Sequence, residues 1–137
     1  HVLLRFDIER RLIRGELAVK DIPTAWNESF EASFNMRPKS DSEGCLQDIH
    51  WAMGGMGYFP TYTIGNLNAS QLFHTATQVE TISNSFKDAN FKPLLDWMRL
   101  QIHSKGSAHL PQDLMVKATG ETTNPSYHLK HLSNRFL

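Results

Sequence analysis

The sequence has 137 residues, enough for one core-bearing domain and too few for two of ordinary size. Its 14 Lys and Arg balance 14 Asp and Glu, so no net positive field draws it to nucleic acid or an anionic membrane surface. No apolar run approaches the roughly 18 residues that span a bilayer, and the single Cys45 excludes an internal disulfide and suits a reducing, cytoplasmic setting.

The chain opens at His1 with no methionine and runs at once into an amphipathic segment, so it is expected to start in mid-structure. From Val2 to Arg14, Val2 and Phe6, then Leu4, Ile8 and Leu12, recur at helical spacing. Arg5, Glu9, Arg10 and Arg14 read as the solvated remainder of that helix, and Gly15 as its stop. Asp21 is the expected cap of a second helix, with Pro23 tolerated in the first turn, whose amides lack intrahelical acceptors. Trp26, Phe30 and Phe34 stand four residues apart on one stripe, which reads as core.

Met36 to Glu43 is polar, holds Pro38 and reads as a loop. After Gly44 to Trp51 comes Met53-Gly54-Gly55-Met56-Gly57, too rich in glycine for regular structure. Pro60 opens a long helix to about Gln78, with Leu72, Ala76 and Val79 on one face. Further helices are expected over Pro93–His103, with Leu94, Met98 and Ile102 inward and Gly106 as stop, and over Pro111–Ala118, ending near Gly120. The last takes Asn124 as cap and Pro125 at its start, and is expected to bury Leu129, Leu132 and Phe136. No segment alternates with a period of two, so the fold class is all-α, with about five or six helices in one unit over residues 1–137.

Reactive side chains are densest between Gln47 and Tyr62: Gln47, Asp48, His50, Trp51, Tyr58 and Tyr62. If Leu46 to Ala52 forms a helical turn, Gln47 and His50 share one face and Asp48 and Trp51 another. An amide, an imidazole and two phenols converging there can bind a carboxylate or a peptide backbone, and His50 can donate to a developing oxyanion. The same residues can also serve as helix caps and core. On the residues alone that scaffolding reading has the edge, because polar clusters more often stabilise loops than run reactions.

No metal ligands are assigned. The chain has no His-Glu-x-x-His, the pattern that puts two imidazoles on one helix face beside a general base. His128 and His131 share a face without a third ligand, and His1, His74, His103 and His109 are isolated in sequence. Cys45 reads as a small buried side chain, and the glycine run lacks the spacing of a phosphate or dinucleotide loop.

Gly44-x-x-Gln47-Asp48-x-His50-Trp51 resembles the Gly-x-x-Gln-Asp-x-His-Trp motif of the thermostable, Taq-type zinc carboxypeptidases. The similarity continues in His1 to Glu9, in Asp21-Ile22-Pro23-x-Ala25-Trp26-Asn27, in Gly57 to Thr63, and in Ala118 to Glu121 followed by Asn124-Pro125. The resemblance implies a mostly helical enzyme of roughly three to four times this length. Such an enzyme is a homodimer with its site in a long groove, and it removes residues one at a time from peptide C-termini. A metal-bound water, usually on zinc, attacks the scissile carbonyl with a glutamate as base. The metal-binding motif would lie upstream of His1, so this chain would be the C-terminal part and bind no metal by itself. The resemblance assigns catalytic roles to His50 and Tyr62 as hydrogen-bond donors. It assigns substrate binding to Gln47, Asp48 and Tyr58, with Asp48 orienting His50 and Trp51 packing. The competing expectation is a non-catalytic helical interaction or homodimerising fragment.

Overall fold

The computed structural model describes His1–Leu137, and every regular element in it is helical. Seven α-helices run in order: α1 (Val2–Ile13), α2 (Ile22–Phe34), α3 (Pro60–Thr77), α4 (Glu80–Ser85), α5 (Lys92–Gln101), α6 (Pro111–Thr119) and α7 (Ser126–Phe136). Short 3₁₀ turns at Val19–Asp21, Phe86–Asp88 and His103–Lys105 join some of them. The residues form two compact units, His1–Thr63 and Ile64–Leu137.

In the first unit α1 packs on α2. Gly15 ends α1 as expected, at φ 71°, a left-handed backbone that a side chain would strain. Asp21 occupies the cap position of α2, but its side chain makes no capping bond, and Pro23 sits in the first turn. Ile8, Trp26 and Cys45 form the centre of the core, with Leu4, Leu12, Leu17, Ile22, Phe30 and Trp51 packed around them. The aromatic stripe of α2 is core at one end only. Trp26 is fully buried and Phe30 stacks beside it, whereas Phe34 reaches solvent.

The polar face expected for α1 is not solvated throughout. Arg5 is 0% exposed and Glu9 3%, Arg5 held among Trp26, Trp51 and Phe59 and Glu9 against Trp51. Between α2 and α3 the chain is turns and bends throughout, and no helical turn forms over Leu46–Ala52. Backbone bonds close it locally: Gln47 N–H donates to the Gly44 carbonyl (3.2 Å), and Gly55 N–H to that of His50 (2.7 Å).

In the second unit Leu72, Ala76, Ile82 and Met115 are buried. The helix beginning at Pro60 ends at Thr77, and Val79 is not on its face but at the start of α4, a six-residue helix the sequence did not announce. Leu94 and Met98 of α5 face Leu72 and Phe73 of α3 across a cavity of about 370 Å³. The buried Gln71 organises the chain after α6. Its Nε2 donates to Thr119 Oγ1 (2.8 Å) and to the carbonyls of Glu121 (3.3 Å) and Thr122 (3.1 Å), and its Oε1 accepts from Asn124 N–H (2.8 Å). Asn124 Oδ1 in turn accepts from Ser126 N–H (3.0 Å), the first residue of α7, while Pro125 rather than Asn124 occupies the cap position. The expected burial on α7 does not occur: Leu129 is 62% and Phe136 70% exposed, because no other helix of this unit covers that face.

Candidate active site

The site is assembled on α1, Trp26 of α2, the turns from Cys45 to Phe59 and the first residues of α3, which carry Tyr62. Its base is Arg5, whose guanidinium carbon lies 4.5 Å from the ring centre of Trp26, 4.4 Å from Trp51 and 5.0 Å from Phe59. Each contact is a favourable cation–π geometry, strengthened by the absence of water. Arg5 Nη1 and Nη2 both donate to the Cys45 carbonyl (3.2 Å each), and Nη2 lies 2.6 Å from Asp48 Oδ2. The approach to Oδ2 is off the N–H direction, so this pairing is by charge and Oδ2 has no aligned donor. Burial lowers the guanidinium's proton affinity, while Asp48, Cys45 and Glu9 oppose that effect, and Arg5 stays cationic.

Asp48 divides its two oxygens. Oδ2 faces Arg5, and Oδ1 lies 3.2 Å from both the backbone N–H and Nδ1 of His50. With Nδ1–H directed at the carboxylate, His50 presents Nε2 to Tyr62 Oη at 3.4 Å. Tyr58 stacks on the imidazole, ring centres 5.3 Å apart, and meets Tyr62 edge to face at 5.4 Å. The Tyr62 phenol is pushed above its ordinary value, first by desolvation, then by the neighbouring Tyr58 and the Asp48 charge. Its hydroxyl therefore stays protonated at neutral pH and can donate.

Four of the five expected site residues thus converge directly: Asp48, His50, Tyr58 and Tyr62. Gln47 lies beside His1, whose Nδ1 is 3.3 Å from the Gln47 amide nitrogen; with Nε2 of His1 accepting from Arg5, both atoms are donors and the contact is proximity alone. His1, isolated in sequence, is therefore part of the cluster. Arg5 Nε–H donates to its Nε2 (3.2 Å), so that nitrogen is an acceptor, and its 3.4 Å approach to Asp48 Oδ2 is not an ion pair in that state. His1, Val2, Asp48, His50, Phe59 and Tyr62 line an open hollow of about 210 Å³. Trp51 packs as expected and does more: its Nε1–H donates to Glu9 Oε1 at 2.8 Å. Sequence reasoning missed Arg5, Glu9 and His1. The available signal was the spacing of His1, Arg5 and Glu9 at i, i+4 and i+8 on α1, which places them on one face.

No group of three or more His, Cys, Asp or Glu side chains is arranged to hold a metal. His128 and His131 stack at 6.4 Å, and His128 Nδ1 lies 2.8 Å from Ser70 Oγ. No helix is long and apolar enough to cross a membrane.

The family described as Carboxypeptidase Taq (M32) metallopeptidase matches residues 1–136. The chain belongs to the Taq-type metallocarboxypeptidases. It is 41% identical to thermostable carboxypeptidase 1 of Pyrococcus furiosus over 138 aligned residues, covering 100% of this chain and 28% of that protein. It is 40% identical to thermostable carboxypeptidase 1 of Thermus thermophilus, covering 99% of this chain and 27% of the relative. Its fold superimposes on the M32 carboxypeptidase of Deinococcus radiodurans R1 with a TM-score of 0.93 at 34% identity, over 98% of this chain and 28% of that one. The chain therefore spans little more than a quarter of the length of these relatives. The family it belongs to is one of metallopeptidases.

Proposed function

We propose that this chain is the C-terminal part of a metal-dependent carboxypeptidase that removes single residues from peptide C-termini, and that it supplies one wall of the substrate groove. The observation that carries this reading is the ordered series Asp48–His50–Tyr62, which ends in a phenol 45% exposed beside an open hollow. Asp48 holds His50 by Nδ1, and His50 Nε2 holds the Tyr62 hydroxyl. A peptide carbonyl entering the hollow takes the Tyr62 O–H as a donor in place of His50, and the oxygen gains that bond most strongly as negative charge develops on it. Tyr58 keeps the imidazole flat against its own ring and shields it from water. Gln47 and His1, at the rim, offer donors to the peptide backbone or its terminal carboxylate.

The metal, zinc by family resemblance, is proposed to be held by residues outside this chain. The working protein is proposed to be a cytoplasmic homodimer acting on peptides with a free C-terminus. The test uses the full-length protein and a short peptide. Release of the C-terminal residue, abolished by a chelator and absent from residues 1–137 alone, supports the reading; cleavage indifferent to the chelator overturns it. His50→Ala should lower turnover far more than thermal stability, and an equal fall in both would return the cluster to scaffolding.

A further inference from the structure

We infer that Arg5 is a positioning residue for this reaction, acting through Asp48 to fix the His50–Tyr62 pair; the inference rests on the carboxypeptidase reading and deepens it. Arg5 makes no contact with the hollow and is 0% exposed, so it cannot touch a substrate within this unit. Removing Arg5 alone would strand the Cys45 carbonyl and Asp48 Oδ2 beside the aromatic rings and cost stability, so the test of its role keeps the charge.

What the surroundings require besides that charge is a planar fork. The rings of Trp26 and Trp51, set at 89° to each other, enclose the guanidinium on two sides, and the Cys45 carbonyl, taking a bond from each terminal nitrogen, fixes its rotation. Nη2 is then confined to one place, 2.6 Å from Asp48 Oδ2. Because Oδ1 is already committed to the N–H and Nδ1 of His50, the carboxylate cannot turn without giving up one partner. Helix α1 thus sets the orientation of an imidazole 45 residues further along the chain. Lysine has the same charge but neither the plane nor the second terminal nitrogen, so it can neutralise Asp48 without fixing it.

The groups that face His50 are Asp48, Tyr58, Phe59 and Tyr62; Arg5 and His1 reach it through the charged Asp48 and, by packing alone, through Phe59. This arrangement predicts that Arg5 and Asp48 act as one unit. The experiment takes the full-length protein, Arg5→Lys, Asp48→Asn and the double variant, and measures kcat and KM for a short peptide alongside the thermal midpoint. Arg5→Lys should lower kcat about 10²-fold, the scale of a misplaced catalytic group, while leaving KM near the wild-type value. The double variant should lose no more than the worse single one, because the second change removes a link already broken.

Losses that multiply in the double variant would show Arg5 acting independently of Asp48 and overturn the inference. So would wild-type kcat in Arg5→Lys, or a rise in KM with kcat unchanged. Should Arg5→Lys not fold, Asp48→Asn decides: unchanged kcat there overturns the inference, which routes Arg5 through Asp48, and a fall at constant KM supports it. A wild-type protein that releases no C-terminal residues overturns both this inference and the function it rests on. An active, chelator-sensitive wild type with an unaffected Arg5→Lys overturns this inference alone.

Discussion

Gly55→Ala should damage the site more than it damages the fold. An ideal Cβ at Gly55 lies 2.9 Å from the His50 carbonyl oxygen, 3.4 Å from the carbonyl carbon and 3.5 Å from its Cβ. The nearest atom is backbone and cannot swing aside as a side-chain tip would. It also accepts the Gly55 N–H at 2.7 Å, which holds the two segments together. Restoring ordinary contact requires about 0.5 Å of movement, and such overpacking costs about 1–3 kcal/mol. Because Gly55 is not in the left-handed region, alanine is otherwise allowed there and regains about 0.4–1 kcal/mol by restricting the unfolded chain. The net loss of stability is therefore modest, on the order of 1 kcal/mol. The movement falls on His50, however, whose Nε2 is already 3.4 Å from Tyr62 Oη, so a shift of this size breaks that bond and should lower kcat about tenfold. The control is Gly54→Ala. Gly54 has φ 77° and open space around its Cβ position, so that variant strains the backbone without pressing on His50. The assay compares thermal midpoints and kcat of both variants in the full-length protein. If Gly55→Ala loses stability but keeps the turnover of Gly54→Ala, the link between this glycine and the imidazole is wrong.

Trp51→Phe removes the only aligned donor to the buried Glu9 carboxylate, whose Oε2 already has none. A loss of about 1–3 kcal/mol is expected in urea unfolding, and Glu9→Gln in the same background should recover part of it; no recovery would locate the cost in packing instead. Gln71→Leu keeps the volume but strands the Asn124 N–H and frees the Thr119–Asn124 turn, so α7 should fray and its amides exchange faster with solvent while those of α1 do not. Tyr127 donates to Glu121 Oε1 at 2.6 Å and, with Asn124, holds that carboxyl below its ordinary 4.5. A lowered folded value stabilises above the unfolded value and is lost as pH falls through the folded one. Tyr127→Phe should therefore weaken the dependence of the unfolding midpoint on pH as it falls below 4.5, and an unchanged slope would refute the coupling.

Helical periodicity carried most of the architecture, since the long segments α1, α2 and α3 bury one face each and end at glycine, at loops or at a following cap. It failed where burial depends on distant chain. Phe34 and Phe136 have core-like spacing on their own helices, yet each extends beyond the elements that could cover it. Helix α4 was invisible because only Ile82 of its six residues is buried, too little for a periodic signal. The candidate site was half legible for a related reason. Asp48, His50, Tyr58 and Tyr62 lie within fifteen residues of each other, so local density revealed them. Arg5 and Glu9 belong to a helix whose charges ordinarily face water, and only the arrival of Trp26, Trp51 and Phe59 turns them inward. A charged residue at an i+4 step from a histidine carries no sign of which aromatic rings will enclose it. The requirement becomes visible once the unsatisfied donors of a buried guanidinium are traced to Cys45 and Asp48. The resemblance located the loop that carries the imidazole; the packing beneath it indicates why that imidazole has one orientation.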